Sequence, residues 1–159
     1  MTTPIRRQAM EGNIRSGDCW TVTRTFSEQD TLSFGDMIRD YNPVHYDSRF
    51  SRAKQFKGRI LHGLLTAGLI CEIGGQLGWL ASSMEFLFKK PVYFGDTISC
   101  RLTIQEIDGK GFATARAVFE NQNGQCVMEG CLKGLLPQGP EQDVLKKMVD
   151  EGDPTNKAG

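Results

Sequence analysis

Histidine is scarce in this chain, and paired cysteine motifs, long apolar runs and any surplus of charge are missing. His45 and His62 are the two histidines, so a Cys/His zinc centre would have to gather ligands from distant segments, and no metal is expected. The five cysteines (Cys19, Cys71, Cys100, Cys126, Cys131) show no CxxC spacing and, being odd in number, cannot all pair with one another. Cys100 and Cys126 stand in apolar, strand-like surroundings where a reduced thiol behaves as a small hydrophobe. A reducing, cytoplasmic setting is the simplest expectation. Nineteen basic and nineteen acidic side chains balance to zero, which removes the electrostatic case for nucleic acid or an anionic membrane as partner. Every stretch long enough to span a bilayer is interrupted by Gly, Glu or Gln, so no membrane segment is expected. The first residues lack the apolar core of a secretory signal. Arg6, Arg7 and Arg15 with few acids are a transit-peptide feature, but serine is scarce there and a solvated arm is the simpler reading.

The 159 residues fit one compact domain. Residues 1–17 read as a polar arm, 18–136 as the folded domain and 137–159 as a polar tail with at most a short helix around Val144 to Val149. Trp20 to Phe26 is rich in β-formers and predicts a first strand. Ser27 then suits an N-cap, with Glu28 and Asp30 in the first turn, and a helix is expected from Glu28 to about Asp40. Pro43 forces Asn42 out of helical conformation, so the helix must stop near Tyr41. Residues 42–59 read as turn and loop. A second helix is expected from near His62 to Gly74-Gly75; it is apolar on nearly every side and therefore buried. Met84 to Phe88, Thr97 to Ile107, Phe112 to Glu120 and Gln125 to Leu136 read as strands, the second with clean alternation of Ile98, Cys100, Leu102 and Ile104 against polar neighbours. Short connections imply antiparallel pairing. The pattern predicts an α+β architecture, a curved antiparallel sheet wrapped around a central buried helix. Open sheet edges point to a homodimer.

Two segments carry chemistry. In Asp40-Tyr41-Asn42-Pro43-Val44-His45-Tyr46-Asp47 a proline-enforced turn can fold the His45 imidazole back toward the Asp40 carboxylate, and such a pair could hold one water between them. An Asp and a His around a turn also occur for structural reasons alone. In Gly58-Arg59-Ile60-Leu61-His62-Gly63 a glycine opens the buried helix, where backbone N–H groups without intrahelical partners can meet a developing oxyanion. A buried His62 beside a packing Gly63 would be the plain structural account. Together the two segments supply what water addition to an α,β-unsaturated thioester needs: an acid/base pair and an oxyanion site a few ångströms apart.

The sequence resembles the MaoC-like family of (R)-specific enoyl-CoA hydratases and dehydratases. The resemblance rests on Phe26-Ser27-Glu28-Gln29-Asp30, on the Asp40–Asp47 run, on Gly58-Arg59-Ile60-Leu61-His62-Gly63-Leu64-Leu65-Thr66 and on Phe88-Lys89-Lys90-Pro91-Val92-Tyr93-Phe94-Gly95-Asp96-Thr97. It implies a single hot-dog fold and hydration of a trans-2-enoyl-CoA to the (R)-3-hydroxyacyl-CoA, reversibly. It implies Asp40 and His45 as the catalytic pair, either of which could take the proton from water, Asn42 as an orienting neighbour and the Gly63 amide as part of an oxyanion hole. Arg59, His62, Lys89, Lys90 and Trp79 are candidates for substrate contact: Arg59, Lys89 and Lys90 toward the coenzyme A phosphates, though such charges are more often solvated surface, and Trp79 as a wall of the acyl pocket, though a lone Trp is more often core. No cofactor is expected beyond the coenzyme A of the substrate, and a homodimer or dimer of dimers is. Thr66-Ala67-Gly68 departs from a small residue common in relatives near the acyl chain.

Two other readings compete. A hot-dog thioesterase would use a carboxylate on the central helix, and Glu72 is the acid there, though such an enzyme has no evident need of Asp40 with His45. A non-catalytic acyl-CoA-binding module would keep the fold without the chemistry, yet both residues are present.

Overall fold

The computed structural model describes residue 7 and residues 14–157, so most of the arm assigned to residues 1–17 lies outside the described residues. Along the chain run β1 (Cys19–Thr25), α1 (Glu28–Ile38), α2 (Pro43–Tyr46), α3 (Ser48–Ala53), α4 (Gly63–Ala67), α5 (Leu69–Leu77), β2 (Leu80–Phe88), β3 (Thr97–Ile107), β4 (Phe112–Glu120), β5 (Cys126–Leu135) and α6 (Pro140–Asp150). The five strands form one antiparallel sheet in the order β1-β3-β4-β5-β2.

Alternation fixes which face of that sheet is buried. Ile98, Cys100, Leu102 and Ile104 of β3 are essentially solvent-free, as are Ala113, Ala115, Ala117 and Phe119 of β4. Helix α5 lies against β1 and β3, with Ile70, Ile73 and Leu77 in the same core. The alanines of β4 belong to that same core. This is the expected α+β hot-dog arrangement, a sheet curled around a central helix.

Several local expectations are corrected. The central helix is two pieces meeting at Gly68. It does not stop at Gly74-Gly75 but continues to Leu77 and ends at Gly78, whose φ of 66° is left-handed. Glycine inside a helix costs roughly 1 kcal/mol, and burial of Ile70, Ile73 and Leu77 exceeds that. Residues 42–59 contain two short helices, too short to show a period. Asn42 caps α2 by accepting from the Val44 N–H at 3.2 Å, and Asp47 caps α3 through Arg49 and Phe50. Strand β2 starts at Leu80, earlier than Met84, because it pairs with β5 from Leu80↔Leu135 onward and pairing overrides the weak strand tendency of Ser82-Ser83. Helix α6 is longer than the Val144–Val149 expectation. Pro140 opens it, Glu141 and Asp143 fill its first turn, and Leu145 packs toward Gly78 at the end of α5.

Candidate active site

Helix α1 begins on a capping box between Ser27 and Asp30. It ends at Arg39 in left-handed conformation, φ 58°, with the Asp40 amide donating to the Gly35 carbonyl at 3.1 Å. The Asn42 backbone N–H then donates to Asp40 Oδ1 at 3.1 Å. Asn42 therefore orients Asp40 through its main chain, while its side chain is spent on capping α2. With Pro43 at its first position, α2 makes a single turn that carries His45 back over Asp40. Ser51 locks this turn by donating to the Val44 carbonyl at 2.8 Å.

His45 is buried, and its Nδ1 lies 2.8 Å from the Ile60 carbonyl oxygen. A carbonyl can only accept, so the ring hydrogen sits on Nδ1 and Nε2 presents a lone pair. Nε2 is 3.9 Å from Asp40 Oδ2, and the Asp40 side chain is 43% exposed. A water at hydrogen-bond distance from both atoms would see them at about 90°, near the angle between its own two O–H bonds. Burial pushes the His45 imidazole below its ordinary 6.5; the Ile60 hydrogen bond opposes this, the neighbouring His62 ring adds to it and Asp40 opposes it.

His62 lies behind the pair. Its ring stacks on His45 with centroids 3.8 Å apart and planes 27° apart, and its Nε2 is 3.0 Å from the Asp40 carbonyl oxygen. It is 1% exposed, which withdraws it from the surface a substrate would reach. Gly63 follows as the first residue of α4, where its N–H has no intrahelical acceptor. The Phe88 ring covers it: a Cβ on Gly63 would lie 2.4 Å from a ring carbon, so only glycine lets the aromatic ring sit there. Met37, Ile38, Tyr41, Leu64 and Phe88 leave exposed apolar surface at this end of the fold.

The other candidates are engaged differently. Arg59 is ion-paired with Glu28 at 2.5 Å and lies over the Phe94 ring. Lys89 is paired with Glu129 at 2.8 Å, while exposed Lys90 has no ion-pair partner among the described residues. Trp79 is 9% exposed in the core beyond the C-terminal end of α5, roughly 20 Å along α4 and α5 from Gly63 at 1.5 Å per residue. Glu72, the acid a thioesterase would need, is held by Arg24 at 2.9 Å. Sequence reasoning did not single out Gly35, Tyr46 or Phe88; their roles depend on contacts between segments that no local pattern encodes.

Asp40, His45 and His62 also offer ligand atoms within 4.8 Å of one another, as a metal site would. The donor chemistry fits a cation poorly. The His62 nitrogen nearest Asp40 faces a carbonyl oxygen and so carries its hydrogen, leaving no lone pair there for a metal.

The chain is similar to several known proteins. The MaoC like domain matches residues 17–123. An (R)-specific enoyl-CoA hydratase of Rhodospirillum rubrum is 31% identical over 130 residues, covering 79% of this chain and 90% of that protein. A mitochondrial 3-hydroxyacyl-[acyl-carrier-protein] dehydratase of Arabidopsis thaliana is 28% identical over 144 residues, covering 87% and 85%. Among solved structures, an (R)-hydratase from A. caviae superposes with a TM-score of 0.73 at 26% identity, covering 79% of this chain and 98% of that one.

Proposed function

The chain belongs to the MaoC-like domain family, and from that membership we propose that it is a hydro-lyase converting trans-2-enoyl-CoA and water to (R)-3-hydroxyacyl-CoA, and back. The observation that carries this reading is the 3.9 Å gap between Asp40 Oδ2 and the His45 Nε2 lone pair, which suits one bridging water. In the forward direction the water oxygen bonds to Cβ as the Cα=Cβ π pair moves toward the thioester. The carbonyl oxygen then carries the charge of an enolate, opposite the Gly63 N–H. The pair takes one proton from the water, and the enolate collapses as Cα takes up one proton. With His45 Nε2 a bare lone pair at the start, that proton is the one water surrendered. Atoms balance without metal or cofactor, and coenzyme A enters as part of the substrate. Lys90, with no acidic partner among the described residues, is freer than ion-paired Arg59 or Lys89 to meet a coenzyme A phosphate.

Asp40 opens to solvent beside the buried His45. Two concavities of about 600 and 650 Å³ are lined by other residues. Edge strand β2 exposes Leu80, Met84, Leu87 and Phe88, which supports a homodimer, or a dimer of dimers, whose second copy walls the substrate. The five cysteines are free thiols, in keeping with a reducing cytoplasm. Among the described residues no helix is long and apolar enough to cross a membrane.

The direct test follows the enone-thioester absorbance of crotonyl-CoA alongside a free-thiol assay. Loss of absorbance without thiol release, unchanged in Glu72→Gln, is the expected result. Thiol release that Glu72→Gln abolishes would assign the chain to thioesterases, and inertness toward short and long enoyl-CoAs would leave a binding module.

The pH profile supplies a second check. Catalysis that uses the Nε2 lone pair needs neutral His45, whose pKa lies below its ordinary 6.5. The acid limb of kcat/KM should therefore fall below pH 6.5, and a limb centred above it would remove His45 from the proton transfer. Stability has the same sign. Above pH 6.5 the imidazole is neutral folded or unfolded; as pH drops through that value the unfolded chain protonates first and the folded state loses ground.

A further inference from the structure

On the hydro-lyase reading above, we infer that His62 is a positioning residue that clamps the two members of the catalytic pair to each other and never meets the substrate. One side chain touches both. Its Nε2–H donates to the Asp40 main-chain carbonyl at 3.0 Å, and its ring stacks on His45 with centroids 3.8 Å apart. His45 is thereby fixed twice: in its plane by the Ile60 carbonyl at 2.8 Å, and across its face by the His62 ring. Asp40 is fixed at both ends of its own main chain, its N–H by Gly35 and its carbonyl by His62.

The clamp is itself seated. Phe34 meets the His62 ring edge-on at 5.5 Å and Tyr46 at 6.1 Å. The missing Cβ of Gly35 leaves room for the Tyr46 hydroxyl and for His62 Cε1, which would lie 1.8 and 3.0 Å from it. Filling space does not explain an imidazole here. At 1% exposure its Nδ1 has no hydrogen-bond partner among the described residues, and a buried polar atom without a partner costs stability that a phenyl ring would not. The use that offsets this cost is the Nε2–H, the one group on this side chain with a partner.

The test compares His62→Phe, which keeps a ring and loses the donor, with His62→Gln, whose amide nitrogen can stand where Nε2 stands. In crotonyl-CoA hydration the Phe variant should lose about a hundredfold in kcat with KM unchanged, as a misplaced pair does. The Gln variant should recover most of that loss. A rise in KM at constant kcat would make His62 a substrate contact. A Phe variant with full kcat, or a Gln variant no better than Phe, would leave it a packing residue. Should neither variant fold, nitrogen-15 NMR of the unaltered protein decides: a protonated, exchange-protected Nε2 supports the clamp, and hydrogen on Nδ1 overturns it. That spectrum needs no turnover, so a wild-type chain inert toward enoyl-CoAs would refute the hydro-lyase reading on its own while the clamp was still read.

Discussion

Asp40→Asn should lower kcat for crotonyl-CoA hydration by about three orders of magnitude, within the span expected for loss of a positioned acid/base group. The substitution is nearly isosteric, and its amide oxygen can still accept the Asn42 N–H now made to Oδ1. The turn should survive, and an unchanged Tm would verify that it does. What changes is the atom facing His45. Oδ2 stands 3.9 Å from His45 Nε2, and an NH2 in its place donates where the carboxylate accepted. It can no longer take a water hydrogen, and it can reach over to occupy the Nε2 lone pair. Both effects act on the same proton, so His45→Ala combined with Asp40→Asn should cost little more than the worse single change. Independent, additive losses would mean that the two residues do not serve one water. Retained hydration in Asp40→Asn would remove the carboxylate from the mechanism.

The closeness of Asp40 to His45 is legible in the sequence because both lie on one short segment whose turn is dictated locally. Asn42 caps and Pro43 opens the turn of α2, and five residues bring Asp40 and His45 together. The sheet is legible for a similar reason: alternation in β3 declares its buried face without knowledge of its neighbours. Ser27 as an N-cap, with Glu28 and Asp30 in the first turn, announces α1.

What sequence could not disclose depends on pairs far apart in the chain. Arg59 and Lys89 look like available cations until Glu28 and Glu129 are found beside them. His62 stands in the right motif, but its place beneath Asp40 follows from packing between α1 and the entry to α4. The continuation of α5 through Gly74-Gly75 is a tertiary effect, since the glycines oppose the helix and the core imposes it. Exposed Trp79 near an acyl chain and buried Trp79 behind the helix are the same to a local pattern; only the direction of α5 separates them.

Gly35→Ala should be damaging even though it replaces glycine by the best helix former in the interior of α1. Propensity alone favours the change by about 1 kcal/mol. Against it, the new methyl would lie 1.8 Å from the Tyr46 hydroxyl oxygen, 3.1 Å from its Cζ and 3.0 Å from His62 Cε1. Tyr46 is rigid and belongs to α2, the turn that holds His45, and His62 is buried with its ring against His45. Movement of either is passed on to His45. Overpacking of this kind costs about 1–3 kcal/mol, and a displacement approaching 1 Å at the pair costs about a hundredfold in kcat. A second substitution identifies the cause. The Tyr46 hydroxyl is buried with no partner among the described residues, so Tyr46→Phe alone should be nearly neutral in Tm and kcat. In the Gly35→Ala background the same change removes the atom in closest conflict and should restore most of both. The two substitutions must therefore couple strongly in a double-mutant cycle. Additivity, with Tyr46→Phe giving no rescue, would mean that Gly35 is required by something other than the hydroxyl it accommodates; an unimpaired Gly35→Ala would mean that the site yields without loss.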